Sequence, residues 1–525
     1  MVMTEVRPNF IVVMTDQQRA DHLGCYGNQI VQTPHIDSLA ARGTRFDRFY
    51  VANPICQPNR AALATGQMTS VNGCRQNGIP LGLDATTYAD VLRDAGYRTG
   101  LVGKAHFQNV SNIPAKPRAQ AGEGEAVAAP FDLARRTQRR GEGFGQEVRG
   151  AWTSDPDRAF PSPYYGFDHV RLCIGHGDQM EGHYSAWLAG KLDGAPDPRG
   201  RAQAISNEAP DAPQIWRTAV PEAHYPTSYV GEMASEFLAE QDDRPFLLVV
   251  SFPDPHHPFT PPGRYHDLYD PAEIDLPASF AHRTGDREDL PEHVLDAYAL
   301  GDKNPDAYWP FHVDEATLRR MIALNYGAIT MVDDVIGKLL AQLDVQGLTG
   351  ETVICFMSDH GDYMGDHGTV LKHGVHSHGV IRVPFVWADP QAASSVSALH
   401  ASAIDFAPTL LQRAGIKVPV GMQGRDVFAK DAPDLPVLIE DPGIGVYIDP
   451  DADTSIRSLV YESWRLSVFE GSDLGELYDL NSDPAELTNL WSEPSAQPRK
   501  TAMLHAMIQR QIALRDKSLI ATNRA

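Results

Sequence analysis

Four short runs of apolar, largely β-branched residues constrain what this 525-residue chain can fold into. They are "NFIVVMTD" (9–16), "RTGLVGK" (98–104), "RPFLLVVSF" (244–252) and "TVICFMSD" (352–359). Each is far too short to span a membrane and too continuously apolar for a strand with one wet face. Each therefore predicts a strand buried on both sides of a mainly parallel sheet. Amphipathic stretches lie between them. "TTYADVLRDAG" (86–96) predicts a helix closed by Gly96, and "LRRMIALNYGAITMVDDVIGKLLAQL" (318–343) predicts a long one. This alternation predicts an α/β fold, a large sheet flanked by helices.

Two regions depart from the alternation. Residues 108–225 are rich in Gly, Pro, Ala and Arg with weak periodicity, and predict insertion loops over one edge of the sheet. Inside them "GHGDQMEGHY" (175–184) is a candidate pocket segment, although its His and Asp equally suit a pinned loop. From about residue 430, "APDLPVLIEDPGIG" reads as a linker into a small unit holding "SLVYESWRLSVFEG" and a final helix. The expected division is a catalytic α/β domain over 1–430 and a C-terminal α+β subdomain over 431–525.

Composition contributes mainly exclusions. A net charge of −23 argues against nucleic acid or an anionic membrane as partner. No apolar run approaches the length of a membrane span, and "MVMTEVRPN" leads into "FIVVM" without a signal-peptide pattern, so the expected location is cytoplasmic. Five cysteines, an odd number with no repeated spacing, predict no disulfide framework. The same negative charge means that an anionic substrate needs a local cationic pocket to oppose the global field.

In open α/β sheets ligands bind beyond the carboxyl ends of the strands. Here those ends deliver Asp16 and Gln17, then Lys104 and His106, then His256 and His257, then Asp359 and His360, with Lys372 on a following glycine-rich loop. Any one of them has a bland reading as a cap, a packed loop residue or a solvated charge. Their arrival at one edge is what points to a site. "NPICQPNRAALATGQ" (53–67) adds a helix start, whose N-terminal end favours anions. If Cys56 is only packing, Pro58 is a first-turn proline and Arg60 a surface residue. Yet Cys-x-Pro-x-Arg is expected only about 0.03 times by chance in this composition.

Cys56-x-Pro58-x-Arg60 followed by "AALATG" resembles the signature of the type I sulfatases, in the alkaline phosphatase superfamily. "TDQQRADHLGCYGN", "TPHIDSLAARGTRF", "GYRTGLVGKAHF", "PHHPF", "SDHGDYMGDHG" with "LKHG", "IRVPFVW" and "ELYDLNSDPAELTNL" follow in that family's order. The resemblance implies an alkaline phosphatase-like mixed, mainly parallel sheet and hydrolysis of sulfate monoesters, aryl sulfates first among them. It implies that a formylglycine-generating enzyme oxidises Cys56 to formylglycine, whose hydrate attacks sulfur and later expels sulfate by C–O cleavage. Asp16, Gln17, Asp359 and His360 would hold one divalent cation with residue 56. The commonest family pattern has Asp at position 17 and Asn at position 360. Calcium remains the first choice, while the imidazole brings manganese next, with magnesium also open.

By the same resemblance Arg60, Lys104 and Lys372 supply positive charge to the sulfate. His256 protonates the leaving oxygen with Lys372 beside it, and His106 is the base that collapses the hemiacetal. Asn77 joins Lys104, His256 and Lys372 as a substrate-binding residue. The other histidines of "DHGTVLKHGVHSHG" are expected to be structural. The partner is a small-molecule sulfate ester, and a homo-oligomer is left open. Two other readings stand beside the sulfatase. One is a phosphonate monoester or phosphodiester hydrolase of the same superfamily, a branch whose pattern lacks the Lys-x-His pair kept here as Lys104 and His106. The other is a metal-binding scaffold with an unmodified cysteine.

Overall fold

All four apolar runs form strands, and they are neighbours. In the computed structural model Asn9–Thr15 lies between Thr352–Ser358 and Phe246–Ser251, with Arg98–Gly103 beyond, and every pairing is parallel. The structure describes residues 7–113, 115, 141–206, 212, 214–240, 242–305, 309–443 and 454–519. Parts of the 108–225 insertion and the last two residues of "APDLPVLIEDPGIG" lie outside these.

Among the described residues the large sheet has nine strands in the order Ser395–Ser397, Thr44–Phe46, Phe385–Ala388, Thr352–Ser358, Asn9–Thr15, Phe246–Ser251, Arg98–Gly103, His169–Ile174 and Glu181–Gly182. Phe385–Ala388 and Glu181–Gly182 run antiparallel to their inner neighbours, which makes the sheet mixed but mainly parallel. Alternate residues of one strand enter different cores, as the two-residue period of a strand requires. Phe10, Val12 and Met14 pack on one face, whereas Ile11 and Val13 pack on the other with Met321 and Leu324 of the long helix Glu315–Val345. Burying each such side chain contributes about 1.5–3 kcal/mol. That double burial is why the runs carry no polar alternation.

The predicted helices form. Tyr88–Asp94 starts on a Thr87–Asp90 capping box. It ends with Tyr97 N–H donating to the Leu92 carbonyl and Gly96 N–H to that of Arg93. Gly96 thus stands one residue beyond the cap, at φ +91°, where a left-handed residue closes the helix. Glu315–Val345 starts on Asp314, which accepts from Thr317 N–H at 2.8 Å.

The insertion does more than form loops, which corrects the expectation for it. His169–Ile174 pairs parallel with Arg98–Gly103 and so extends the sheet. Its burial pattern is mixed, with His169 and Arg171 half-buried, and that mixture hides it from a search for continuous apolar runs. Beyond it, Val437–Asp441, Ile456–Tyr461, Trp464–Phe469 and Gly475–Asp479 form a four-stranded antiparallel sheet. Met503 and Met507 of the final helix Gln497–Ala513 pack into the core. All five cysteines are free. Among the described residues no helix is long and apolar enough to cross a membrane.

Candidate active site

The residues that follow the parallel strands meet at one edge of the sheet. Asp16 comes directly after Asn9–Thr15, Lys104 directly after Arg98–Gly103, and Asp359 directly after Thr352–Ser358. Gly103 makes the second exit possible. Its φ is +102°, and a Cβ there would stand 1.8 Å from the Ser251 carbonyl oxygen, so only glycine fits. Gln17 and His106 are themselves left-handed non-glycine residues, at φ +62° and +54°. Such conformations cost of order 1 kcal/mol or more each and are typical of functional sites.

One group of side chains is arranged to hold a cation. Asp16, Asp359 and His360 are fully buried, and one ligand atom from each lies within 4.8 Å of the others. His360 Nε2 stands 3.6 Å from Asp16 Oδ1 and 3.7 Å from Asp359 Oδ1. His360 Nδ1 lies 2.8 Å from the Gly361 carbonyl oxygen. A carbonyl only accepts, so the proton is on Nδ1 and the Nε2 lone pair faces the carboxylates. Asp16 Oδ1 has no hydrogen-bond partner although it is buried. Gln17 is turned to present its amide oxygen, because its Nε2 donates to Asp362 Oδ2 and lies 3.1 Å from His257 Nδ1. Gln17 Oε1 and His360 Nε2 converge on a cationic group already present, the Lys372 ammonium, at 2.9 and 3.0 Å. Two carboxylates, an amide oxygen and an imidazole nitrogen fit a divalent cation.

Cys56 begins the helix Cys56–Thr65 beside that group, with Pro58 in its first turn. Its Sγ lies 3.7 Å from Asn77 Nδ2 and 3.9 Å from Lys372 Nζ, and His106 is within hydrogen-bonding reach of it. Burial pushes the thiol up, but Lys372, Lys104 and His106 outweigh it and hold the thiol well below its ordinary value. Asp16 behaves likewise: burial opposes ionisation, yet Lys104, Arg60 and Lys372 hold it well below the usual carboxylate range.

The expected sulfate-binding cations divide into two sets. Lys104 Nζ donates to Asp16 Oδ2, and Lys372 Nζ lies between Gln17, the histidines and Cys56 Sγ. Arg60 faces the other way. Its Nε donates to Asp359 Oδ2 at 2.7 Å, and its Nη1 donates to the Lys104 carbonyl and to Ser251 Oγ at 2.7 and 2.8 Å. Through these atoms Arg60 holds Asp359 and the Lys104 turn, while its Nη2 has no hydrogen-bond partner and stands 3.7 Å from Asp16 Oδ2.

His256 is held by two contacts. Its Nδ1 lies 2.5 Å from the His257 carbonyl oxygen and its Nε2 lies 3.0 Å from Lys372 Nζ. An ammonium only donates, so Nε2 is the acceptor in this contact. Burial, with His257, Lys372 and Lys104 nearby, holds His256 well below its ordinary value.

Three further residues of this cluster have no place in the sequence reading of the site. Glu147 accepts the backbone N–H groups of His106, Phe107 and Gln108 at 2.6, 2.8 and 3.0 Å, fixing the loop that carries His106. Asp362 orients Gln17, and burial pushes it up to about 6. His176 stacks on His256 with ring centroids 3.6 Å apart. Of these only His176 left a sequence signal, the segment 175–184. Its Asp178 took the loop-pinning role instead, bonding Trp216 Nε1 and Thr218 Oγ1. His376 of the glycine-rich loop turns away toward Ser458 and Asp441, and His378 toward Tyr50.

A family model described as Sulfatase matches residues 8–416, across all of these strand ends. The chain belongs to the sulfatase family. A second model, the C-terminal region of N-sulphoglucosamine sulphohydrolase, matches residues 365–513. This sulfatase is 28% identical over 524 residues to the uncharacterized sulfatase YidJ of Escherichia coli (strain K12), covering 97% of this chain and 88% of that one. It is 27% identical over 502 residues to an arylsulfatase of Clostridium perfringens, covering 92% and 90%. Its fold is similar to the crystal structure of a phosphonate monoester hydrolase of Agrobacterium radiobacter, with a TM-score of 0.74 at 24% identity over 98% and 97% of the two chains. The sulfatase is therefore a sulfuric ester hydrolase of the alkaline phosphatase superfamily.

Proposed function

We propose that this enzyme hydrolyses sulfate monoesters, aryl sulfates first among them, with residue 56 as formylglycine beside one divalent cation. The observation that carries the reading is the position of Cys56: at a helix start, against Asn77 and Lys372, whose ammonium also reaches Gln17 and His360 of the carboxylate group. A formylglycine-generating enzyme is the maturation partner in this reading, and the cytoplasm, where free cysteines persist, is the location. Calcium is the first choice of ion for the oxygen donors, and manganese follows because of His360. The bound cation supplies Lewis acidity beside residue 56.

The chain's own groups do the rest. Lys104 and Lys372 neutralise the sulfate oxygens inside a protein of net charge −23. Asn77 fixes the group at residue 56 through its amide. The proton for the leaving oxygen is stored on Lys372 and passes through His256, whose Nε2 already faces it at 3.0 Å. His106, held by Glu147, takes the proton from residue 56 when sulfate departs. Arg60 keeps Asp359 aimed.

A second reading, phosphonate monoester or phosphodiester hydrolysis, is supported by the fold likeness to the Agrobacterium enzyme. A substrate panel separates the two. Aryl sulfates, choline-like alkyl sulfates, sugar sulfates and phosphonate monoesters are compared by kcat/KM on purified, metal-loaded enzyme. The expected result is the highest value for an aryl sulfate. A higher value for a phosphonate monoester would install the second reading, and turnover of none would leave only the scaffold.

A further inference from the structure

His176 lies in the insertion, just after the fifth parallel strand, His169–Ile174, and between two left-handed glycines. Gly177 sits so close to the loop after His256 that a Cβ there would stand 2.9 Å from the Pro258 carbonyl oxygen. The loop is thereby wedged against the histidine pair, and the His176 ring makes contacts of two kinds, by its face and by its edge. Its face lies on His256, with centroids 3.6 Å apart and planes 9° apart. Its Nε2 stands 2.9 Å from Lys104 Nζ. Because the ammonium only donates, Nε2 is the acceptor and His176 is the Nδ1-protonated, neutral ring. Lys104 has three N–H groups. One goes to Asp16 Oδ2 and one to His176, which leaves the third aimed by the other two.

We propose that His176 is a positioning residue for sulfate ester hydrolysis, with two separable duties. Through Nε2 it aims Lys104 at the sulfate oxygens. Through its ring face it fixes the plane of His256, and hence the line along which the leaving oxygen receives its proton. The proposal rests on the sulfatase reading above. It adds to the site a residue from a segment that no strand-end motif reaches.

Two substitutions divide the duties. His176→Phe keeps a stacked ring and loses the acceptor, whereas His176→Gln keeps an acceptor for Lys104 and loses the ring. Both are measured with nitrophenyl sulfate, a good leaving group, and phenyl sulfate, a poor one, on modified, metal-loaded enzyme. His176→Phe is expected to lower kcat/KM by about tenfold for both substrates, the size of one lost charge-assisted hydrogen bond. His176→Gln is expected to fall about tenfold further for phenyl than for nitrophenyl sulfate, because misaligned proton delivery matters most when the leaving oxygen is basic. Equal losses for the two substrates in His176→Gln, or values within twofold of wild type in His176→Phe, would overturn the proposal. If one variant fails to fold, the other decides alone by its own criterion. Wild-type enzyme without sulfatase activity would instead sink the underlying reading.

Discussion

Two clusters of buried charge sit in this molecule, and they are built to opposite specifications. In the C-terminal sheet Arg465 donates to Glu476 Oε2 and Ser467 Oγ through Nη1 and to Glu486 through Nε. Arg287 donates to the other oxygen of Glu476 at 2.9 Å, and the second oxygen of Glu486 accepts the His378 N–H at 2.8 Å. Two guanidinium groups meet two carboxylates, and every one of these carboxylate oxygens is bonded. At the strand ends, two carboxylates, Asp16 and Asp359, face three cations, Arg60, Lys104 and Lys372. There Asp16 Oδ1, Arg60 Nη2 and His106 Nδ1 are buried without hydrogen-bond partners. A structural cluster closes its hydrogen bonds. A functional one leaves valences and an excess of positive charge for a ligand, because an unpaired buried group costs about 1–3 kcal/mol that folding alone does not recover.

The largest way to break this contrast is at the nucleophile. Cys56→Ser is nearly isosteric, so it should fold and bind metal while turnover falls by orders of magnitude. Retention of more than about a tenth of the activity would contradict the formylglycine assignment. Asp16→Ala should remove both metal and activity, and so should Asp359→Ala, because a hard cation depends on anionic oxygens. Elemental analysis that found full metal occupancy in both would reject the ligand set.

Next in size is proton delivery. His256→Ala should cost little with nitrophenyl sulfate but about 10²- to 10⁴-fold with phenyl or alkyl sulfates. His106→Ala acts after the alcohol has left, so it should give a burst of alcohol and then slow turnover whatever the leaving group. Equal losses across leaving groups in His256→Ala would mean that this residue holds sulfate instead.

The C-terminal cluster should answer in the opposite currency. Glu476→Gln breaks a buried pair and should destabilise the fold by about 3–5 kcal/mol while kcat per folded molecule stays unchanged. Its pH dependence follows from the sign of the shift. Burial raises the Glu476 carboxyl, but Arg465 and Arg287 outweigh it and hold it down at about 2, against an ordinary 4.5. The stabilisation is therefore complete above about pH 4.5 and is lost as pH falls toward 2. Thermal unfolding between pH 5 and 3 should steepen in wild type and flatten in Glu476→Gln. Parallel curves would show that the cluster carries no such linkage.

The strand ends were legible because a strand buried on both faces must be an unbroken apolar run, so the polar residue ending it stands out. Asp16, Lys104 and Asp359 were found that way, and the helix start at Cys56 by its motif. His169–Ile174 was not, since a strand near the sheet edge mixes His169 and Arg171 among apolar residues. With the strand unseen, nothing marked its end, and His176 remained one of two equal readings of its segment. Glu147 left no signal at all: its role is to accept three backbone N–H groups, and backbone donors have no letter in a sequence. Side-chain direction was equally hidden. Arg60 belongs to the motif, yet only the fold shows that it braces Asp359.

The central claim is that residue 56 works as formylglycine, and mass spectrometry of one peptide tests it most directly. Trypsin releases residues 49–60, which contain Cys56, in a single fragment. In an active preparation from a host with its maturation enzyme, that peptide should have exchanged one sulfur and two hydrogens for one oxygen. It should also react with a carbonyl reagent. An unmodified thiol in fully active enzyme would contradict the account.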